Sequence, residues 1–288
     1  MTGLSQRPLP SPLSPEHEAA LLPSSPSRRT RRQTMLRWTV LLPLGGFFLL
    51  PLIAMVEFST REAQGRRGLQ AWAAIADTPE LVSAIATSLA LSGLTTVLTL
   101  ALLVPTLTWV RLKLPKIRRL VEALCLLPLV IPAIVLVVGI APVYTWVARL
   151  LGESPLTLTF SYTVLALPYA SRAIDIGLTA MDLPTLVEAA RGLGASWLTV
   201  LVRVVVPNMR GALMAAALLT VSVVLGEFTL ASLLNFSNLQ VEIDLLSKSN
   251  AESAVAVSLA AIIFVFALLF AVSAVSYRRS RPIDQDHA

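Results

Sequence analysis

EAARGLGASWLTVLVRVVVP, residues 188–207, is a polar stretch broken by glycine, set between two apolar runs. Asp182 stands where a helix can be capped, and Pro184 suits the first helical turn. Leu186, Ala190, Leu193 and Trp197 then recur at spacings of four, three and four, one apolar stripe on a short helix. Glu188 and Arg191 lie off that stripe, three residues apart, in position for a weak ion pair. Gly192 and Gly194 each cost a helix interior about 1 kcal/mol relative to Ala. Two such residues so close together predict a break and a helix–turn–helix, with Pro207 opening the approach to the next apolar run. On periodicity alone this is an amphipathic connector resting on lipid headgroups or a surface that docks on a partner.

The flanking sequence says what surrounds the stretch. Hydrophobic residues make up 55% of the 288 and charged residues 14%, against about 25% charged in a soluble domain. The mean hydropathy is +0.74. Several runs reach the roughly 20 apolar residues needed to cross a bilayer, so the chain reads as an all-α integral membrane protein. Six spans are expected, at about 36–56, 88–110, 120–142, 156–177, 211–233 and 254–276. Pro128, Pro132, Pro142 and Pro168 interrupt the third and fourth, where kinks are expected.

Charge orients the spans. The segments expected outside hold only Arg61, Arg66, Arg67, Arg149 and Lys248 of the 23 Lys and Arg residues. All the others fall in segments that lie inside if both termini are cytoplasmic, which the positive-inside rule favours. That places the Glu188 loop in the cytoplasm. The same distribution argues against nucleic acid as the reason for the net charge of +6. Residues 1–35, rich in Pro and Ser and ending in paired arginines, read as a disordered basic tail. Residues 36–277 form the membrane domain, with the loop at about 182–207, and residues 278–288 a second cytoplasmic tail. The outer segment 57–87 reads in part as a short helix lying along the membrane surface.

The loop resembles the EAA loop of the membrane subunits of ATP-driven, binding-protein-dependent importers. In that family the loop reads Glu-Ala-Ala, three residues, Gly, nine residues, then apolar, any, apolar, Pro. Here the positions are Glu188, Ala189, Ala190, Gly194, Val204, Val206 and Pro207, without a gap. Val stands where the family more often has Ile and Leu. Leu167, Pro168, Tyr169 and Arg172 resemble the segment leading into the loop, and Leu127, Pro128, Ile131 and Pro132 the family's Pro-marked third span. The likeness covers about residues 36 to 277.

The resemblance implies a type I ABC importer permease fold of six transmembrane helices with a cytoplasmic coupling helix. It implies that Glu188, Ala189, Ala190, Gly194 and Pro207 couple the chain to separate ABC ATPase subunits. Ala189, Ala190 and Gly194 would allow close approach, and Glu188 would face basic groups of the partner. Further implied partners are a second homologous permease subunit, as a heterodimer rather than a homodimer, an extracytoplasmic solute-binding protein and membrane lipid. The implied location is a bacterial-type inner membrane, crossed several times. The pattern looks most like the spermidine and putrescine permeases, so the implied solute is polyamine-like. Relatives that carry iron, thiamine, aminoethylphosphonate, sulfate or molybdate are the alternatives.

What the sequence lacks agrees with that division of labour. It contains no Gly-x-x-x-x-Gly-Lys-Ser/Thr phosphate loop, no His-Glu-x-x-His and no Gly-x-Ser-x-Gly. The chain is therefore read as a transport subunit and not an enzyme, with no cofactor and no metal of its own. The lone Cys125 forms no intrachain disulfide. Glu227, in Gly226-Glu227-Phe228, lies deep in the fifth span, where an ionisable group normally faces a cavity or a partner. It either lines the translocation path or a gate, or hydrogen-bonds a neighbouring helix and fixes packing. Arg172 and Asp175, one turn apart, are expected to pair, and Glu122 to pair locally with the preceding arginines. An ion-gradient-driven secondary transporter is the other class, and it would favour internal repeats and several intramembrane carboxylates.

Overall fold

The computed structural model describes residues 28–61 and 67–279. Both the amino-terminal tail up to residue 27 and residues 280–288 lie outside the described residues, so most of the expected tails is not covered. The described residues are helical, with no strand beyond an isolated antiparallel bridge between Arg61 and Arg67.

Of the described residues, 28–54 fall in one unit. It holds most of α1 (Arg28–Ser59), which already begins eight residues ahead of the expected first span and contains Pro43 and Pro51. Its portion Arg37–Ser59 is long and apolar enough to cross a membrane.

The second unit runs from Met55. It contains α2 (Gln70–Asp77), the short helix anticipated in the segment 57–87, and α3 (Pro79–Lys113). Pro79 and Glu80 open α3 and Arg111 and Lys113 close it, which suits both the unpaired amides and the helix dipole. Next come α4 (Arg118–Val130), α5 (Ala133–Leu151) and α6 (Thr159–Thr179). The loop contributes α7 (Leu183–Gly192) and α8 (Trp197–Asn208). The chain ends with α9 (Arg210–Leu225), α10 (Thr229–Leu233), α11 (Leu239–Ser249) and α12 (Ala251–Arg279).

At the centre α3, α6 and α9 pack on one another through small residues. Ser88, Ser92, Thr95 and Thr99 of α3, Ala166, Ala170 and Ala173 of α6, and Ala216 and Thr220 of α9 are all buried. Small side chains let membrane helices approach closely where dispersion, not water exclusion, must hold them together. Gly177 marks the tightest point, since a Cβ there would overlap the Cβ of Ala212. One apolar cluster, around Leu107, Ile174, Leu178, Leu183, Val200 and Met209, fills the end of the bundle that carries the loop. Another, around Leu91, Tyr144, Leu158, Tyr162, Val224 and Leu230, fills the opposite end.

The spans differ from the sequence reading in three places. Four helices among the described residues are long and apolar enough to cross a membrane: Arg37–Ser59, Pro79–Lys113, Ala133–Leu151 and Ala251–Leu268. A fifth is reached if α8 and α9, bent by 83°, count as one. The span expected at 120–142 is instead split between α4 and α5. Pro132 forces Ile131 out of the helical region, to φ −85° and ψ 121°, and α4 stops. Of the four prolines expected to kink, Pro132 is the one at a break, while Pro128, Pro142 and Pro168 lie inside helices. The helix expected at 156–177 is present as α6, but Ser161, Tyr162, Thr163, Ser171, Arg172 and Asp175 make it too polar to qualify on composition. The span expected at 211–233 stops at Leu225 and resumes only as the short α10.

Candidate functional site

The break in the loop is built by the backbone. Gly194 has φ +85°, a conformation that costs a side-chain-bearing residue but not glycine. The Ala195 N–H donates to the Ala190 carbonyl at 3.1 Å and the Gly194 N–H to the Arg191 carbonyl at 2.9 Å. These two bonds close the end of α7 in a Schellman motif. Ser196 then starts α8, its Oγ accepting from the Thr199 N–H at 3.2 Å. Within α8 the turn over Leu201–Val205 is widened, and the Val206 N–H reaches back to the Leu201 carbonyl. Pro207 explains it: its ring crowds the carbonyl four residues earlier and it has no N–H to offer. Asp182 occupies the cap position of α7 but makes no side-chain cap bond, because its ψ of 74° departs from cap geometry. The expected capping role is corrected accordingly; Pro184 leaves one fewer amide to satisfy.

Three faces of α7 do different things. Leu183 and Val187 are buried against the core, with Leu186 and Ala190 partly so. The apolar stripe expected through Leu193 is not formed. Leu193 lies past the last turn, where the chain reverses, and is 91% exposed. The outward face carries Ala189, Gly192, Leu193 and Gly194, continued by Leu198 at 68% exposed. A Cβ placed on Gly194 would meet nothing within 4 Å. The third face, Pro184, Val187, Glu188 and Arg191, lines a cleft against the last turn of α3. Glu188 and Arg191 share that cleft without forming the expected ion pair among the described residues. Trp197 is held edge-on to Trp109, ring centroids 5.0 Å apart.

Just above the loop, charges tie three helices together. Arg111 on α3 donates to the Asp175 carboxylate at 3.4 Å, to the Asp175 carbonyl at 3.1 Å and to the Thr179 hydroxyl at 2.7 Å. Arg118 on α4 reaches Asp175 Oδ2 at 3.1 Å and Glu122 at 2.7 Å. Glu122, and then the charge of Asp175, hold the Arg118 guanidinium above its ordinary pKa, so it stays charged at any physiological pH. The expected Arg172–Asp175 pair is not formed: Arg172 is exposed and borders the same pocket, but Asp175 is taken by arginines from α3 and α4. The local pairing of Glu122 is present.

At the opposite end of α9, Glu227 sits half-buried in the interruption before α10. Its Oε1 accepts from the Leu230 N–H at 2.8 Å, which caps α10. Asn238, almost fully buried, donates from Nδ2 to the Glu227 carbonyl at 2.7 Å and to the Tyr162 hydroxyl at 3.1 Å, while its Oδ1 accepts from the Val241 N–H. Gln240 donates to the Leu225 carbonyl at 2.7 Å, and Ser88 on α3 accepts from the Leu239 N–H at 2.8 Å. Carbonyls freed by the break are thus satisfied by side chains, as backbone at membrane depth requires. Glu227 was singled out by its charge. Asn238, Gln240, Tyr162 and Ser88 were missed; the available signal was a run of amide side chains just beyond a glycine-marked break. Among the described residues no cluster of His, Cys, Asp and Glu could hold a metal ion.

A family model described as the binding-protein-dependent transport system inner membrane component matches residues 108–282. The chain belongs to this family. No curated protein matches it. The permease match takes in the end of α3, the charge cluster, the whole loop and the interrupted helix. The chain is therefore a multi-pass inner-membrane permease subunit of an ABC importer, a transport component rather than an enzyme. Members of this permease family work with an ATPase, a binding protein and another permease subunit.

Proposed function

We propose that this permease couples to its ATPase through the loop from Glu188 to Pro207, with Ala189 and Gly194 at the point of closest approach. The observation that carries the reading is the outward face of the loop. A glycine with φ +85° and open space around its Cβ stands beside a leucine that is 91% exposed, on a turn pinned by two backbone bonds. An exposed apolar side chain on a rigid turn suits a partner cleft better than water. Ala190 plays a different part from Ala189, since it packs on the core and accepts the bond that closes the turn.

In this reading the chain crosses the membrane six times with both termini in the cytoplasm. α4 with α5 provides the third crossing, α6 the fourth, and α9 with α10 the fifth. The chain forms half of a translocation path, completed by a different homologous permease subunit. Glu227 lies at the mouth of that path, and the solute, delivered by an extracytoplasmic binding protein, is polyamine-like. ATPase closure would tilt α7 and α8 as a lever against α3 and α6, a two-state coupling.

Co-purification from native cells in mild detergent, with partners identified by mass spectrometry, tests the coupling. Recovery of an ATPase that is lost on Gly194→Asp supports it; recovery of the chain without any ATPase refutes it. Uptake of labelled putrescine and spermidine tests the solute. Unchanged polyamine uptake in cells lacking the chain, with loss of thiamine, iron or oxyanion uptake, replaces that assignment.

A further inference from the structure

The side of α7 that faces α3 forms a cleft of about 440 Å³, within the range of small-ligand sites. Its lining combines Trp109, Arg111 and Lys113 from the last turn of α3 with Glu188, Arg191 and Trp197 from the loop. Arg111 is committed to Asp175 and Thr179. Lys113 and Arg191 have no carboxylate partner among the described residues. Set against the one carboxylate in the lining, Glu188, the cleft is left with an excess of positive charge. Its aromatic wall is the crossed pair of Trp109, 44% exposed, and Trp197.

We propose that this cleft binds a phosphate-bearing anion, presented by the headgroup of an anionic membrane lipid. Three features select that chemistry. The cations are a point charge and a planar fork, Lys113 and Arg191, which together suit the oxygens of a phosphate. They lie where a membrane-crossing helix ends, beside indole rings of the kind that settle at the headgroup level. Basic pockets at helix ends there collect anionic headgroups. A bound phosphate would bridge Lys113 on α3 to Arg191 on α7, beside the Trp109–Trp197 contact that joins α3 to the start of α8. The lipid would act as a strut that holds the loop at a set angle to the bundle. The proposal needs only a membrane-embedded chain, not the ATPase-docking role of the outward face.

The test uses the full chain in nanodiscs of phosphatidylglycerol or of phosphatidylcholine, followed by native mass spectrometry of the lipid retained in detergent. Lys113→Gln and Arg191→Gln should each lower phosphatidylglycerol retention about fivefold, the equivalent of the attraction of one basic residue near an anionic surface. Lys116→Gln, at another exposed lysine in the next turn but outside the cleft, controls for general surface charge. Phosphatidylcholine should not be retained. A shift in Trp109 and Trp197 fluorescence that follows phosphatidylglycerol, and is lost in Arg191→Gln, gives an independent readout. If inorganic phosphate alone gives the same shift in phosphatidylcholine discs, the site is for phosphate and the source is the free anion. Equal retention in Lys113→Gln, Arg191→Gln and Lys116→Gln overturns the proposal. So does an anion effect that appears only with a bound ATPase, since the cleft would then seat an acidic segment of that partner.

Discussion

Gly194 can be replaced in ways that separate the turn from its surface. At φ +85° a Cβ costs about 1–2 kcal/mol of backbone strain, a factor of roughly five to thirty in the equilibrium of the turn. Steric cost inside the chain is nil, because nothing lies within 4 Å of that Cβ. Asn and Asp tolerate the left-handed region better than Ala does. If the glycine serves only the turn, Gly194→Ala should be the most damaging substitution and Gly194→Asn and Gly194→Asp the mildest. If the outward face docks in a partner cleft, the order reverses. Ala then keeps part of the activity, Asn keeps less, and Asp, which would carry a charge out of water, keeps none. The assay is ATPase recovered per permease alongside ATP-driven uptake, with membrane insertion checked by protein level. Full ATPase recovery with Gly194→Asp, or Ala as the worst of the three, would refute the docking argument.

Gly177→Ala should cost about 1–3 kcal/mol through its overlap with Ala212 and lower the melting temperature in detergent; Gly177→Ala combined with Ala212→Gly should recover most of the loss. Asp175→Asn leaves Arg111 and Arg118 with weaker partners and should cost roughly 1–2 kcal/mol in the same melt, whereas Arg172→Gln should be close to silent. Asn238→Ala strips the Glu227 carbonyl and the Tyr162 hydroxyl of a donor, and a loss of about 1–3 kcal/mol is expected; an unchanged melt would show that water replaces the amide there.

The loop was legible in the sequence because its determinants are local. A glycine placed two residues after a helical stripe, a serine two residues later and a proline downstream each carry their own backbone consequence. The span boundaries were less so. Apolar counts run across Ile131–Pro132 and across Gly226–Phe228 without registering that the chain leaves the helical region at one and is capped anew at the other. Apart from the local Arg118–Glu122 pair, the charge cluster was beyond sequence reading. Arg111 and Asp175 are 64 positions apart, and a pairing rule that looks one turn ahead finds Arg172 instead. That Glu188 lines the cleft against α3 was not legible either, since which side of α7 meets α3 is decided by the packing of Leu183 and Val187, not by the residue types along the loop.

The interruption at Gly226 has a consequence for thickness. A helix of 16 residues rises about 24 Å, some 6 Å less than a typical hydrocarbon layer. Beyond it the chain turns through exposed Gly226 and Phe228 before α10 begins. Irregular backbone at that depth survives only where protein buries it or water wets it, and these two residues are not buried by the chain. In the proposed six-span arrangement the partner permease covers this turn, the bilayer is pinched beside α9, or a wet funnel descends to the level of Glu227. A pinch or a funnel would make the insulating distance that a solute must cross shorter here than the membrane around it.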